Sequence, residues 1–290
     1  MCGTSGLGGV WGEICPDESV KAILYALEHG IRAFDTAPSY ANAEIYLGMA
    51  LKEWVGEKPF ISTKVGRQRS QNAFDYKLDY SNGGLEKTLH NSLKTLGVEI
   101  IDLLFLHEPQ LVPIKETDRI IACLHSFKEQ GLIRYTGVGG NPDNKFYPFI
   151  KKENFDVVSG FLKLNACNLS ALETDIPLFK SQNITYYAAS SLHFALLGDK
   201  LADYKKNGAD AWITQKDIAN AAEVEKLAAA ADLAISTLSQ RYLFSIAEAD
   251  RIVVGPRNLT DMRATLGDWR AGTLPESLFD AITDIILRKL

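Results

Sequence analysis

The sequence predicts a (β/α)8 barrel whose first strand is short or missing, and three observations carry that prediction. Apolar runs of strand length alternate with helix-period segments along the whole chain, the pattern of a parallel sheet with crossover helices. Three of the runs end on polar residues suited to proton transfer: IRAFDTAPSY on Asp35 and Tyr40, FISTKVG on Lys64, and IDLLFLHEP on His107. A parallel barrel gathers its chemical groups at that carboxyl end of the strands. No linker or low-complexity stretch divides the 290 residues, so 1–290 reads as one barrel domain.

The opening GTSGLGGVWG is a glycine-dense loop, and only Met1 and Cys2 precede it. A barrel missing most of one strand exposes unpaired edges on its neighbours, so a start truncated relative to a longer parent chain is expected. DESVKAILYALEHG places Val20, Ile23, Leu24 and Leu27 on one helical face, with Asp17 as the cap and Gly30 at the end. This helix feeds the strand IRAFD. Helix NAEIYLGMALKEW, strand FISTK, helix LEKTLHNSLKTLG, strand IDLLFLH and helix ETDRIIACLHSFKEQG follow. The alternation continues through strand IRYTGVG, a short helix near FYPFIKK, strand FDVVSGF, helix ALETDIPLFKSQ and strand ITYYAA. A longer helical stretch from Lys216 to Ala247, broken near Asp232, precedes strand RIVVG and a helix from Leu259. The last helix, in PESLFDAITDIILRK, is expected to pack on the outside.

Composition narrows the function. A formal net charge of −5 supplies no basic field, which argues against nucleic acid and anionic membrane as partners. The cysteines, Cys2, Cys15, Cys123 and Cys167, form no CxxC pair, so neither a disulfide framework nor a zinc site is indicated and a reducing cytoplasm fits. The N-terminus lacks the basic and apolar regions of a signal peptide, and no stretch nears the roughly 18 apolar residues of a membrane span.

A phenol, an ammonium, a carboxylate and an imidazole from consecutive strands suit acid–base chemistry on a carbonyl. Taken singly, each has a plainer reading: Asp35 as a turn cap, Lys64 as a solvated strand end, His107 as a core histidine. Their order and spacing favour the joint reading. His29, His90 and His125 fall in helix-period segments and read as surface or packing residues, and Tyr186 and Tyr187 fit a buried strand.

FDTAPSY, STKVG, the strand ending in His107 and the late VVGPRNLTDM resemble the aldo-keto reductase superfamily over nearly the whole chain. STKVGR followed by FDYKLDYSNGGLEKTLHNSLKTLGVEIIDLLFLHEP is similar to its sugar 1-dehydrogenases, those acting on D-threo-aldoses, L-fucose or L-galactose. The resemblance implies that Tyr40 gives and takes the proton, Lys64 lowers the phenol's pKa, Asp35 holds Lys64, and His107 orients the substrate oxygen. It implies NAD or NADP as cofactor, a sugar or other small carbonyl compound as substrate, and most directly the oxidation of an aldose at its anomeric carbon to a lactone. An NADPH-dependent reductase of aldehydes or ketones is the alternative, and a catalytically quiet subunit that binds nicotinamide cofactor is a third reading.

The same resemblance places further residues. Gly3 and Thr4 lie in the loop beside the nicotinamide, with Trp11 as a pocket residue or loop packing. Ser190 and Ser191 stand where the family has Ser-Pro, and His193 after them lines the pocket or serves the structure. Asn141 falls near the carboxamide, although Gly139-Gly140-Asn141 replaces the usual Ser-Asn. Ser159 is the nearest polar substitute for the sixth-strand glutamine, and Ala189 replaces the stacking aromatic. The segment Gly255, Pro256, Arg257, Asn258, Asp261 and Arg263 resembles the element that holds the adenosine end. Gly255 and Asp261 stand where NADP-specific members place lysine and arginine, so the reading leans to NAD, while Arg257 or Arg263 keeps NADP open.

Overall fold

The structure is a computed structural model that describes residues 1–70, 75 and 77–288. Phe74 and Tyr76, within the FDYKLDY segment that carries part of the sugar-dehydrogenase resemblance, lie outside the described residues. Eight strands form one sheet in sequence order: β1 (Cys2–Gly3), β2 (Ala33–Asp35), β3 (Phe60–Val65), β4 (Ile101–His107), β5 (Ile133–Gly139), β6 (Val157–Phe161), β7 (Thr185–Ala189) and β8 (Arg251–Val253). With helices interleaved between them, this is the expected (β/α)8 class. The expected short first strand is β1, which pairs in parallel with Phe34 and Asp35.

Packing groups the residues into two compact units. The first comprises Met1–Gly160, Phe179–Tyr186 and Gly255–Met262. Its core is apolar because most strand residues are buried: all seven residues of β4 are buried, as are Phe34, Ile61 and Phe105, the last on the same face as Lys64. Asp102 near the start of β4 accepts from the Ile61 amide at 2.8 Å and pairs with Arg134 of β5, which ties three adjacent strands at the end away from the polar strand termini. Helix α1 (Pro16–Glu28) buries Val20, Ile23 and Leu27 as the periodicity predicts. Its cap differs from expectation: Pro16 opens the helix behind Cys15, and Asp17 sits inside the first turn. Proline suits that opening position because its missing N–H would have no helical partner. Helix α2 (Ala43–Glu53) follows β2, and α3 (Asn82–Leu96) starts behind Ser81, whose hydroxyl accepts from the Gly84 amide at 3.1 Å. Helix α4 (Thr117–Glu129) follows β4, and the short helix expected near FYPFIKK is a single 3-10 turn, Tyr147–Phe149.

The second unit comprises Phe161–Leu178, Tyr187–Val254 and Arg263–Leu290. The helix expected over ALETDIPLFKSQ is interrupted at Thr174 into α5 (Ser170–Glu173) and α6 (Asp175–Ser181). Helix α7 (Leu201–Asn207) was not expected, because only Leu201 of its seven residues is buried and no apolar face marks it. The long helical stretch divides at Asp232 (φ 54°) into α8 (Gln215–Ala230) and α9 (Ile235–Phe244). Thr214 and Asp217 form a reciprocal capping box at the start of α8. Helix α10 (Leu259–Arg270) follows β8, and α11 (Glu276–Leu287) sets Phe279 against Tyr242 of α9, with ring centroids 4.8 Å apart. No helix among the described residues is long and apolar enough to cross a membrane.

Candidate active site

Strand register brings the four predicted groups of the first unit together. Ser62 of β3 lies beside Asp35 of β2, and Lys64, two residues on, shares its face. Asp35 therefore accepts from both: the Ser62 hydroxyl at 2.7 Å on Oδ1 and the Lys64 ammonium at 2.7 Å on Oδ2. Lys64 also donates to the Thr36 carbonyl at 2.8 Å, and its ammonium lies 4.8 Å from the centre of the Tyr40 ring. Thr63, on the opposite face, donates to Glu44 of α2 at 2.7 Å. His107 ends β4 with its ring edge-on to Tyr40, the centroids 6.0 Å apart. Asp35, Lys64 and His107 are buried, and Tyr40 is half-buried at their edge.

The electrostatics follow from burial. Burial opposes the Lys64 ammonium, but Asp35 and Tyr40 hold its pKa above the ordinary value. His107 is pushed well below the usual imidazole range by burial and by the cations of Lys64 and Arg67, so it is neutral near pH 7. Tyr40 departs from the expected direction. Burial raises its pKa more than Lys64 lowers it, with Asp35 and Glu108 adding to the rise, so the phenol holds its proton.

Two residues that sequence reasoning passed over join this group. Arg67 and Glu108 form a buried ion pair at 3.1 Å, and Glu108 Oε1 lies 3.9 Å from His107 Nε2. The folded register, not the sequence, brings them together: Ser62 pairs with Leu103 and Val65 with Leu106, an offset that continued two residues sets Arg67 beside Glu108. Tyr80 caps the pair from the side, donating to the His107 carbonyl at 2.8 Å.

The other predicted residues fall in several places. Gly3 pairs with Asp35 in the sheet, and the buried Thr4 hydroxyl donates to the Asp35 carbonyl at 3.0 Å. Asn141 is half-buried just past β5. Trp11, Arg257 and Asn258 line one cavity of about 410 Å³ together with Gly6, Cys15 and Glu18. A Cβ on Gly6 would meet the Pro256 carbonyl at 2.7 Å, so this loop lies directly against the segment that begins at Gly255. Asn258 accepts from the Asp261 amide at 2.8 Å at the start of α10. Asp261 accepts from both the Arg257 backbone amide (3.1 Å) and its Nε (2.8 Å). The wall of this cavity carries a guanidinium and an amide at a helix N-terminus, groups able to receive phosphate, together with the carboxylates of Glu13 and Glu18.

In the second unit, Ser190 holds a left-handed backbone (φ 65°) and Arg263 is exposed on α10. His193 is buried: the Asn165 amide donates to its Nδ1 at 2.7 Å, and its Nε2 faces Asp217 at 3.6 Å, longer than a hydrogen bond. Cys167 completes that cluster, its three ligand-type atoms within 4.8 Å of one another. Asn165 Oδ1 accepts from the Cys167 and Asn168 amides, which fixes the amide's orientation and leaves the imidazole proton on Nε2. The cluster is thus a donor facing a carboxylate rather than a set of lone pairs facing a cation.

Several known proteins are similar to this chain. The D-arabinose 1-dehydrogenase of Saccharomyces cerevisiae is 30% identical over 167 residues, 55% of this chain and 48% of that protein. The L-galactose dehydrogenase of Arabidopsis thaliana is 27% identical over 206 residues, 68% of this chain and 62% of that protein. The matched stretch thus spans less than two thirds of the length of these relatives. The solved glycerol dehydrogenase of Gluconobacter oxydans superimposes with a TM-score of 0.77 at 25% identity, covering 98% of this chain and 90% of that one. The family model for "Aldo/keto reductase family" matches residues 1–287, and the chain belongs to that family of oxidoreductases.

Proposed function

We propose that this chain oxidises the anomeric carbon of an aldose to a lactone with a nicotinamide dinucleotide, NAD in preference to NADP. The observation that carries the reading is the junction of Tyr40, Lys64, Asp35 and His107 at the ends of adjacent strands. When bound, the dinucleotide would supply the acceptor for the hydride that leaves C1 of the sugar. Arg257, Asn258 and the Gly6 loop would hold its phosphate-bearing end. Tyr40, as phenolate, takes the C1 hydroxyl proton. Lys64 stabilises that phenolate, Asp35 fixes Lys64, and neutral His107 donates to the same substrate oxygen and orients it. The names of the yeast and plant relatives support a sugar as substrate. For NAD, the support is the Asp261 carboxylate, which occupies Arg257 and would repel a 2′-phosphate brought near it.

Two observations favour a second reading, reduction of an aldehyde or ketone. A phenol that keeps its proton is ready to act as an acid, and the NADH-specific methylglyoxal reductase of Escherichia coli is 28% identical over 228 residues. The deciding experiment follows nicotinamide absorbance with free aldoses and either oxidised cofactor, and with aldehydes and either reduced cofactor, for the native chain and Tyr40→Phe. Aldose oxidation that falls at least ~10²-fold in Tyr40→Phe, with cofactor binding kept, is the expected result. Aldehyde reduction without aldose oxidation selects the second reading. Near-normal turnover in Tyr40→Phe removes Tyr40 from the chemistry.

A further inference from the structure

We propose that Arg67 and Glu108 are a positioning pair that keeps the His107 proton on Nε2 and balances the charge facing Tyr40. The proposal rests on the reading of Tyr40 and His107 as the proton-transfer groups, and it assigns a task to two residues outside that set.

The argument begins with backbone geometry. Glu108 follows the last residue of β4 in a left-handed conformation (φ 57°, ψ 61°), which a side chain with a Cβ rarely adopts. The surroundings impose it: the Glu108 amide donates to the Gly139 carbonyl at 2.9 Å, and the Tyr80 hydroxyl lies on the carbonyls of His107 and Glu108 at 2.8 and 3.2 Å. The bend turns the carboxylate back beside the imidazole of the preceding residue. Arg67 binds its Oε1 and Gln110 its Oε2. With side-chain exposures of 6% and 9%, Arg67 and Glu108 interact where water screens little.

Two facts about the imidazole then choose its tautomer. His107 Nδ1 is buried with no hydrogen-bond partner among the described residues, so a proton there would be a stranded donor. Nε2 faces Glu108 Oε1 at 3.9 Å, too far for a hydrogen bond and close enough for the carboxylate to favour N–H at that position. A substrate oxygen needs the same Nε2–H. An unbalanced carboxylate would also draw the ring toward imidazolium and oppose a phenolate on Tyr40. The Arg67 guanidinium offsets both effects.

The groups facing Tyr40 and His107 come from every neighbouring element. They are Asp35 from β2, Lys64 from β3, Arg67 beyond β3 and Glu108 beyond β4. Tyr80 adjoins Glu108 and Arg67, Glu44 of α2 acts on Lys64 from the other face, and Cys2 of β1 adjoins Asp35. Asp35 and Lys64 already compensate each other, which leaves the second ion pair to set the balance at His107.

The test has a spectroscopic arm and a kinetic arm. In ¹⁵N spectra of the imidazoles, assigned with His107→Gln, the native chain is expected to show Nε2–H and Glu108→Gln a mixture with Nδ1–H. An unchanged tautomer in Glu108→Gln overturns the proposal whatever the substrate. In pH–rate profiles, Glu108→Gln is expected to move the rising limb of oxidation down by about one unit and Arg67→Gln to move it up, the size a charge a few ångströms away produces. Arg67→Lys keeps the native profile. Shifts in the same direction, or none, overturn the proposal, and if Arg67→Gln does not fold, Glu108→Gln against Arg67→Lys still decides. Rates are taken with whichever aldose or aldehyde the protein turns over, so loss of the aldose reading leaves this test intact.

Discussion

At the scale of single residues, the Lys64 ammonium is held by Asp35, the Thr36 carbonyl and the Tyr40 ring, three contacts that pull it in different directions. Lys64→Met removes the cation that limits the rise of the Tyr40 pKa. A group that must be deprotonated to act then needs a higher pH, so the oxidation profile is expected to shift upward. It also leaves Asp35 buried without its counter-ion, which costs about 3–5 kcal/mol and is read as a lower melting temperature. A profile that stays in place would take Lys64 out of contact with the phenol's titration. The Arg257–Asp261 pair gives the second residue-scale prediction. Asp261→Ala releases Arg257 from that carboxylate, and the ratio of kcat/KM with NADP to that with NAD is expected to rise about tenfold, one rim-exposed charge being worth roughly 1 kcal/mol or a little more. An unchanged ratio would pass control of the 2′-phosphate to another side chain. The meeting of Asp35, Lys64 and His107 was legible because each ends an apolar run. The Arg67–Glu108 pair was not, because it depends on two strands being in one particular register.

At the scale of elements, the segment that leaves β3 is built around Gly66, whose φ of 102° suits glycine and whose added Cβ would stand 2.3 Å from the Tyr80 ring. Gly66→Ala thus strains the backbone and displaces the tyrosine that steadies the His107 carbonyl. A loss of about 1–3 kcal/mol is expected from the backbone alone, measured by chemical unfolding, with turnover falling further than stability accounts for. Retention of native stability would mean that the turn adopts another path. Legibility at this scale tracked amphipathic contrast. Helices α1, α3 and α4 show a clear apolar face and were found close to their true bounds, whereas α7, with Leu201 alone buried, was missed. The interruption at Thr174 escaped notice because the apolar residues on either side keep one helical period, although Pro177, which has no N–H to offer the Glu173 carbonyl, marks the break locally.

At the scale of the whole molecule, the alternation of strands and helices was legible from end to end because most strands are buried along most of their length, and short apolar runs stand out against polar helix faces. The direction of the Tyr40 shift was not legible, since desolvation depends on what the folded chain stacks around the phenol. That direction carries to the intact enzyme: oxidation is expected to quicken and reduction to slow as pH rises through the Tyr40 titration, checked by initial rates both ways with one substrate pair. Parallel profiles would place the controlling ionisation elsewhere. The cavity beside Arg257 has a practical consequence. Of the four cysteines, Cys15 on its wall is exposed, while Cys2, Cys123 and Cys167 are buried. Burial holds the Cys2 thiol up at about 12, far from reactive. A thiol-directed dye should therefore mark the native chain once and the unfolded chain at every cysteine. Such a label sits where a dinucleotide would dock, and its quenching or protection would count occupied molecules directly, without any turnover at all.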